Sequence, residues 1–363
     1  MKVIDLYIGK RFFSTFFTIL FVFILVFSLI HWIDHSGKYA KADVGAILRF
    51  YLNYTPQIIN LVIPVCGLLS SLLTFSNLGK YNELVALQVS GVSRRRYILP
   101  ALTLSFLIST ALFFFNEYVL IDANLERDRI ETVEIYKKTP KKKGEKRNVL
   151  LNTKNNGIIF AGNVHIDKGI MAPFNIQYYT NDRTRVIKRI DADSVLWNDS
   201  TGWVLKDAYV RHLNADTILS TEYKKHLQIE ETSFSPKDFE EPVFRPDRVD
   251  KFLTLKELRN FSEKRASFGQ TTYHVDYEIY NAFFAPLSIF FMTFIGSILG
   301  SMFTKGSVII YFLACIIICL IYMVVVIIGK VLAQNNEIPA LLGASLPHLA
   351  TLCVLTFLVN KKS

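Results

Sequence analysis

Apolar and polar positions along this chain fall into long blocks. From Phe12 to Ile33 run 22 residues without an acid, lysine or arginine, and only His31 among them titrates near neutrality. Phe50–Gly79 adds 30 such residues and Tyr97–Asn116 another 20. A polar stretch follows, about Ile121 to Tyr277, and uncharged segments resume at Ile279–Thr304, Gly306–Gly329 and Ile338–Asn360. A bilayer core about 30 Å thick takes roughly 20 helical residues to cross. The pattern therefore predicts six transmembrane helices, with residues 1–121 carrying three, 122–277 forming one insert and 278–363 carrying the other three. The first span is too long for a signal h-region, and no small-residue cleavage site follows His31-Trp32-Ile33-Asp34. Pro56, Pro64, Pro286 and Pro347 lie inside spans, where packed neighbours can re-satisfy the freed carbonyls. Phe50–Gly79 is longer than one crossing and is expected to tilt or to begin with an interfacial piece.

Inside the insert the pattern changes period. Asp122–Glu131 reads as a charged helix continuing the third span. The basic run Lys137–Arg147 reads as a solvated loop, with contact to an anionic head group as the alternative. Six segments rich in β-branched and aromatic residues then alternate at period two: Asn148–Thr153, Gly157–His165, Ile170–Tyr179, Arg185–Leu196, Trp203–Leu213 and Thr217–Ile229. Asn155-Asn156-Gly157, Asp167-Lys168-Gly169, Asn181-Asp182 and Asn198–Gly202 supply the turns between them. Trp197 and Trp203 flank one turn and are expected to anchor it. Short strands at this spacing imply an antiparallel sandwich or a partly open barrel. Leu255–Ala266 reads as the helix that returns the chain to the membrane.

Composition fits this division. Of 363 residues, 51% are hydrophobic and 20% charged, and the formal net charge is +10. So much apolar surface excludes a disordered chain and argues against one ordinary soluble core. Counted to residue 278, the insert holds 27 Lys and Arg against 25 Asp and Glu, whereas the rest of the chain holds 14 against 6. The excess positive charge thus flanks the spans, which sets aside a nucleic-acid reading. With the N-terminus inside, the inner segments carry ten Lys and Arg and the outer short loops four, so both termini are expected in the cytoplasm and the insert outside. Cys66, Cys315, Cys319 and Cys353 all lie in spans, so no disulfide holds the insert.

Chemistry-bearing motifs are scarce. Gly9-Lys10 and Gly79-Lys80 lack the upstream glycine and following Ser or Thr of a phosphate-binding loop. No HExxH, CxxC or GxSxG occurs, and the seven histidines are scattered, so neither a metal site nor a cofactor is expected. An intramembrane hydrolase would need an ionisable group at mid-span. Glu117 and His31 stand near span ends, and His348, after Pro347, is expected to bond a neighbouring helix. Gly296-Ser-Ile-Leu-Gly300 forms a small-residue ridge that permits close helix contact, within the chain or with another subunit.

The loop between the second and third spans, about residues 77–91, is more specific. Glu83–Val89 has helix-forming residues with an acid in the first turn, Gly91 as a C-terminal stop, and then Arg94-Arg95-Arg96. It reads as a short amphipathic helix on the inner face, either facing anionic lipid or docking a soluble partner. With these residues on the page, the chain resembles the LptF/LptG permeases of the lipopolysaccharide-exporting ABC transporter. Three features carry the resemblance over essentially the whole chain: Asp5-Leu-Tyr-Ile-Gly-Lys10, Asn82-Glu83-Leu with Ser90-Gly91-Val-Ser93, and three spans, a β domain, three spans. The Trp197–Trp203 turn also fits. The N-terminal motif and His31–Asp34 look more like LptG than LptF.

The resemblance implies an α-helical integral membrane protein of six spans with an inserted, jellyroll-like periplasmic β domain. It implies a permease without its own ATP-hydrolysing site, paired with an LptF-type subunit on an LptB-type ATPase dimer. An LptC-type single-span protein and an LptA-type periplasmic bridge would complete the bacterial inner-membrane complex. Glu83, Leu84, Leu87, Gly91 and Arg94 would form the helix that couples to the ATPase. His31, Lys38, Lys41 and Arg49 would meet the lipopolysaccharide head group, and Gly296 and Gly300 would pack helices. A membrane-anchored envelope scaffold or sensor, its β domain binding a protein, is the reading from another class.

Overall fold

The computed structural model describes residues 3–360 except 40–41, 138–144, 153–156, 181–183, 199–200, 215–216, 230–252, 268–270 and 303–307. Its chain divides into two compact units. The first comprises Met1–Lys138, Lys251–Lys256 and Tyr273–Ser363, and the second Thr139–Asp250 with Glu257–Thr272.

The first unit is helical. Helices α1 (Val3–Tyr39) and α2 (Val44–Lys80) are each 37 residues long, followed by the short α3 (Glu83–Val89) and by α4 (Arg94–Phe115). A π-helical turn at Asn116–Leu120, α5 (Ile121–Arg129) and a second π turn at Ile130–Ile135 prolong α4 without a break. Helix α6 (Leu255–Ser267) lies mostly in the second unit, and the first resumes with α7 (Tyr273–Phe284), a 3₁₀ turn holding Pro286, α8 (Ser288–Met302), α9 (Val308–Gln334) and α10 (Ala340–Asn360). Five of these stretches are long and apolar enough to cross a membrane: Val3–Tyr39, Val44–Lys80, Arg94–Ile135, Tyr273–Met302 and Phe312–Gln334. A sixth, shorter apolar helix is the described part of α10, Ala340–Thr356. The six expected spans thus all fall on apolar helices. The long second segment is one unbroken helix, with Pro56 and Pro64 inside it.

Helix α2 is the most buried of the spans, whereas α1 and α9 leave most of their apolar surface outside the fold. Its closest partner is α8, and small residues set that approach. A Cβ on Gly300 would come 2.6 Å from the Leu72 carbonyl oxygen and 3.0 Å from the Phe75 Cβ. One on Gly296 would collide with the Leu68 carbonyl and the Ser71 hydroxyl. Gly67 faces back, where a Cβ would lie 2.8 Å from Ile289 and 2.9 Å from the Thr293 hydroxyl. The Ser70, Ser71, Ser297 and Ser301 hydroxyls along this seam donate to carbonyls three or four residues back, so these four are satisfied on their own helices.

In the second unit, β1 (Glu145–Asn152), β2 (Gly157–His165), β3 (Ile170–Tyr179), β4 (Val186–Asn198), β5 (Gly202–Asn214) and β6 (Thr217–Gln228) form one antiparallel sheet in chain order. Two strands, β2 and β3, have the bounds expected from the sequence, residue for residue. The described strands thus make a meander, and the crossover of a jellyroll is not among the described residues. Ile159, Ala161, Met171, Phe174, Ile176, Val195, Trp203, Leu205 and Ala208 share its core. Trp197 and Trp203 pair across the β4–β5 turn with rings 5.1 Å apart.

A crease crosses this sheet. Burial alternates as 159, 161 and then 164 on β2, and as 203, 205 and then 208 on β5, one residue out of phase. Gly162, Pro173, Asp193 and Asp207 occupy the aligned positions where the phase slips, while the register on either side is unchanged. Asp207 takes φ +53 there, and a Cβ on Gly162 would lie 2.6 Å from Pro173 Cδ. The slip keeps apolar residues facing the core along strands too long for a flat pleat. Among the described residues β6 is the exposed edge strand, its Glu222 and Lys224 opposite Val210 and Ala208, and such charges discourage edge-to-edge pairing.

Candidate functional site

Two clusters in the helical unit hold most of the residues singled out from the sequence. The first surrounds α3. Asn82 turns the chain into it through a left-handed φ of +58. At its other end the Gly91 amide donates to the Gln88 carbonyl and Val92 to the Leu87 carbonyl, closing a Schellman motif with Gly91 at φ +81. Leu84 is 1% exposed, and it shares a core with Ile8, Phe12, Leu78 and Tyr97; Leu87 and Val92 pack against the same cluster. Leu84 and Leu87 therefore face this chain, and the residues that project outward are Val85 and Val89, one turn apart and 45% and 84% exposed. Tyr81 is exposed just before them. Sequence reasoning missed these valines because a seven-residue helix with apolar groups around most of its circumference does not reveal its rotation.

Side chains from α1 and α4 surround the same helix. Tyr7 Oη donates to Glu83 Oε2 at 2.8 Å, and Arg11 Nη1 pairs with Glu83 Oε1 at 3.1 Å. Arg96 makes a two-pronged bond to Asp5, at 2.6 and 2.7 Å. Gln88 donates to the Tyr97 hydroxyl. Arg94 starts α4 beside this group, half-buried.

The second cluster gathers where α1 ends and α2 begins. His31 Nδ1 lies 3.1 Å from Tyr51 Oη, and the His31 ring stacks between His35 and Phe50, with Tyr39 and Tyr54 nearby. Arg127 bonds Gln57 and sits over the Tyr54 ring. Arg49 is paired with Glu134 at 2.7 Å, and Arg129 bridges Glu126 and Glu134. Lys38 Nζ rests 5.5 Å from the Tyr136 ring centre. Lys41 lies outside the described residues. Glu117, in the first π turn, accepts the Leu255 amide on both carboxylate oxygens, at 3.0 and 3.2 Å, so it caps the start of α6.

One ion pair escaped the sequence reading. Glu278, 5% exposed, meets Lys330 Nζ at 2.7 Å, and the ammonium lies 5.8 Å from the Tyr277 ring centre. Glu278 sits at the boundary between the polar stretch and the fourth span, where counting either block passes over it. His348 is buried and stacks on the Phe284 and Phe291 rings of the neighbouring helices. Among the described residues no group of His, Cys, Asp and Glu could hold a metal ion.

Comparison with curated proteins finds no match. The family model described as lipopolysaccharide export system permease LptF/LptG matches residues 6–361, nearly the whole chain. That span takes in the inserted sheet, the six apolar helices and both clusters except Asp5. The chain belongs to the LptF/LptG family of lipopolysaccharide export permeases.

Proposed function

We propose that this chain is the LptG-type permease subunit of an ABC transporter that extracts lipopolysaccharide from the inner membrane and passes it to a periplasmic bridge. Members of the family are inner-membrane transport permeases and not enzymes in themselves. The energy then comes from a partner, an LptB-type ATPase dimer, alongside an LptF-type permease and an LptC-type single-span protein. Both termini lie in the cytoplasm and the insert, residues 122–277 with its sheet, in the periplasm. Ten Lys and Arg in the inner segments against four in the outer short loops support that orientation.

The outward face of α3 carries the reading. Val85 and Val89 form an apolar strip beside Glu83 and Arg94, on a helix pinned at both ends and seated by Leu84. A rigid amphipathic helix presenting such a strip fits a groove on a soluble partner. Replacing Val85 and Val89 together by Asp should reduce ATPase co-purification about tenfold or more, since central interface residues cost more than about 1.4 kcal/mol when lost. The permease itself should still be recovered, because neither side chain touches its core. Undiminished co-purification would remove α3 as the docking helix and favour an envelope scaffold.

At the opposite end, Lys38 and Lys41 supply the cations for the phosphates of the head group, while His31 and its aromatic neighbours form the adjoining wall. Arg49 is committed to Glu134, so its charge is not free to act alone.

A further inference from the structure

The polar contacts around α3 do more than decorate its surface. Tyr7 and Arg11 stand one turn apart on α1 and approach Glu83 from both carboxylate oxygens. The Arg11 guanidinium also lies 4.5 Å from the Tyr7 ring centre, so the two side chains brace each other. Two residues before Tyr7, Asp5 takes the two-pronged bond from Arg96 on α4. A bidentate pair fixes orientation as well as distance. Three elements are thereby joined at the N-terminal end of α1. Both pairs are only partly buried, and ion pairs near the surface are worth about 0–1 kcal/mol each, so their main contribution is geometric. Helix α1 then continues unbroken for 37 residues, about 55 Å at 1.5 Å per residue, to Lys38 and Tyr39. Along it, Ile8, Phe12, Phe16 and Leu20 are buried on one face only.

We propose that Asp5, Tyr7 and Arg11 are positioning residues that transmit displacement of α3 to α1, so that movement of the docked ATPase reaches the far end of the first span. The proposal rests on the reading of α3 as the docking helix. In it Glu83 is held by its own chain, and α1 acts as a rod rather than as a passive membrane anchor. The apolar seat of Leu84 keeps α3 folded against the chain, whereas the polar strut sets which way a push on α3 is delivered.

The test uses the assembled permease–ATPase complex in proteoliposomes containing lipopolysaccharide, reading ATP hydrolysed and lipid transferred in the same sample. Arg11→Ala should retain the ATPase and keep hydrolysis within about twofold, while lipid transferred per ATP falls about fivefold or more. Arg11→Lys keeps a charge but not the planar fork, and should restore part of the loss. Asp5→Asn, nearly isosteric and so not expected to disturb folding, should lower the same ratio by breaking the second arm. An unchanged ratio in both Arg11→Ala and Asp5→Asn overturns the strut. A fall in hydrolysis and transfer together, with the ratio preserved, also overturns it, because a merely structural role would act that way. Failure of the wild-type chain to retain an ATPase would remove the docking reading itself and the strut with it.

Discussion

Gly296→Leu is expected to prevent α2 and α8 from packing. A side chain there would have to enter the space held by the Leu68 carbonyl and the Ser71 hydroxyl, and the backbone cannot swing aside as a flexible side chain would. Gly300→Leu meets the Leu72 carbonyl and Phe75 in the same way. Overpacking in a filled core costs about 1–3 kcal/mol where side chains can yield, and backbone contacts place these variants at or above the upper end. Helix pairs in a bilayer lack a hydrophobic drive toward each other and depend on close contact, so the seam has little to offset the loss. Thermal unfolding in detergent should show a large drop in midpoint for both variants. Gly37→Ala supplies the control, since nothing lies within 4 Å of its Cβ and alanine is the better helix former. A midpoint unchanged by Gly296→Leu would mean that the seam opens freely.

Loss of Lys330 should be the second large effect, and it should exceed loss of its partner. Lys330 is 37% exposed and its long stem can carry the ammonium to water once Glu278 is gone. Glu278 has no such freedom. Its side chain is 5% exposed, and removing the lysine leaves a carboxylate buried among apolar helices. Breaking a buried pair in this sense costs about 3–5 kcal/mol, and partial exposure of the lysine reduces it. Lys330→Met should therefore lower the midpoint clearly, Glu278→Gln less, and the double variant Glu278→Leu with Lys330→Met should recover most of the loss. If Glu278→Gln were as damaging as Lys330→Met, the carboxylate would not be desolvated where it stands.

The six apolar helices were legible because about 20 uncharged residues in a row have few other uses. Five strands were legible to within two residues, whereas β1 begins at Glu145, inside the basic run Lys137–Arg147 that reads as a loop, because charged residues can pair as strand once Val164 and His165 lie opposite them. Helix α3 was legible too, since its stop at Gly91 depends on a local conformation that favours glycine. What stayed hidden depends on contacts between distant parts of the chain. Arg49 read as an open cation, but Glu134, 85 residues away, takes its charge. The crease at Gly162, Pro173, Asp193 and Asp207 becomes visible only when four strands are aligned, because a one-residue slip inside one strand does not show that its neighbours slip at the paired positions. Likewise Gly296 and Gly300 announced a close contact, but only the structure identifies α2 as what they touch.

Reconstituted transfer tests the account most directly. The chain would be assembled with its permease partner and ATPase in vesicles loaded with lipopolysaccharide, and lipid reaching a soluble periplasmic acceptor would be counted with and without ATP. The account predicts transfer that requires ATP and that drops when Lys38 and Lys41 are both replaced by Glu, because reversed charges repel the phosphates that the native lysines attract. Lipid transfer that is absent with ATP, or that proceeds equally without it, would contradict the account.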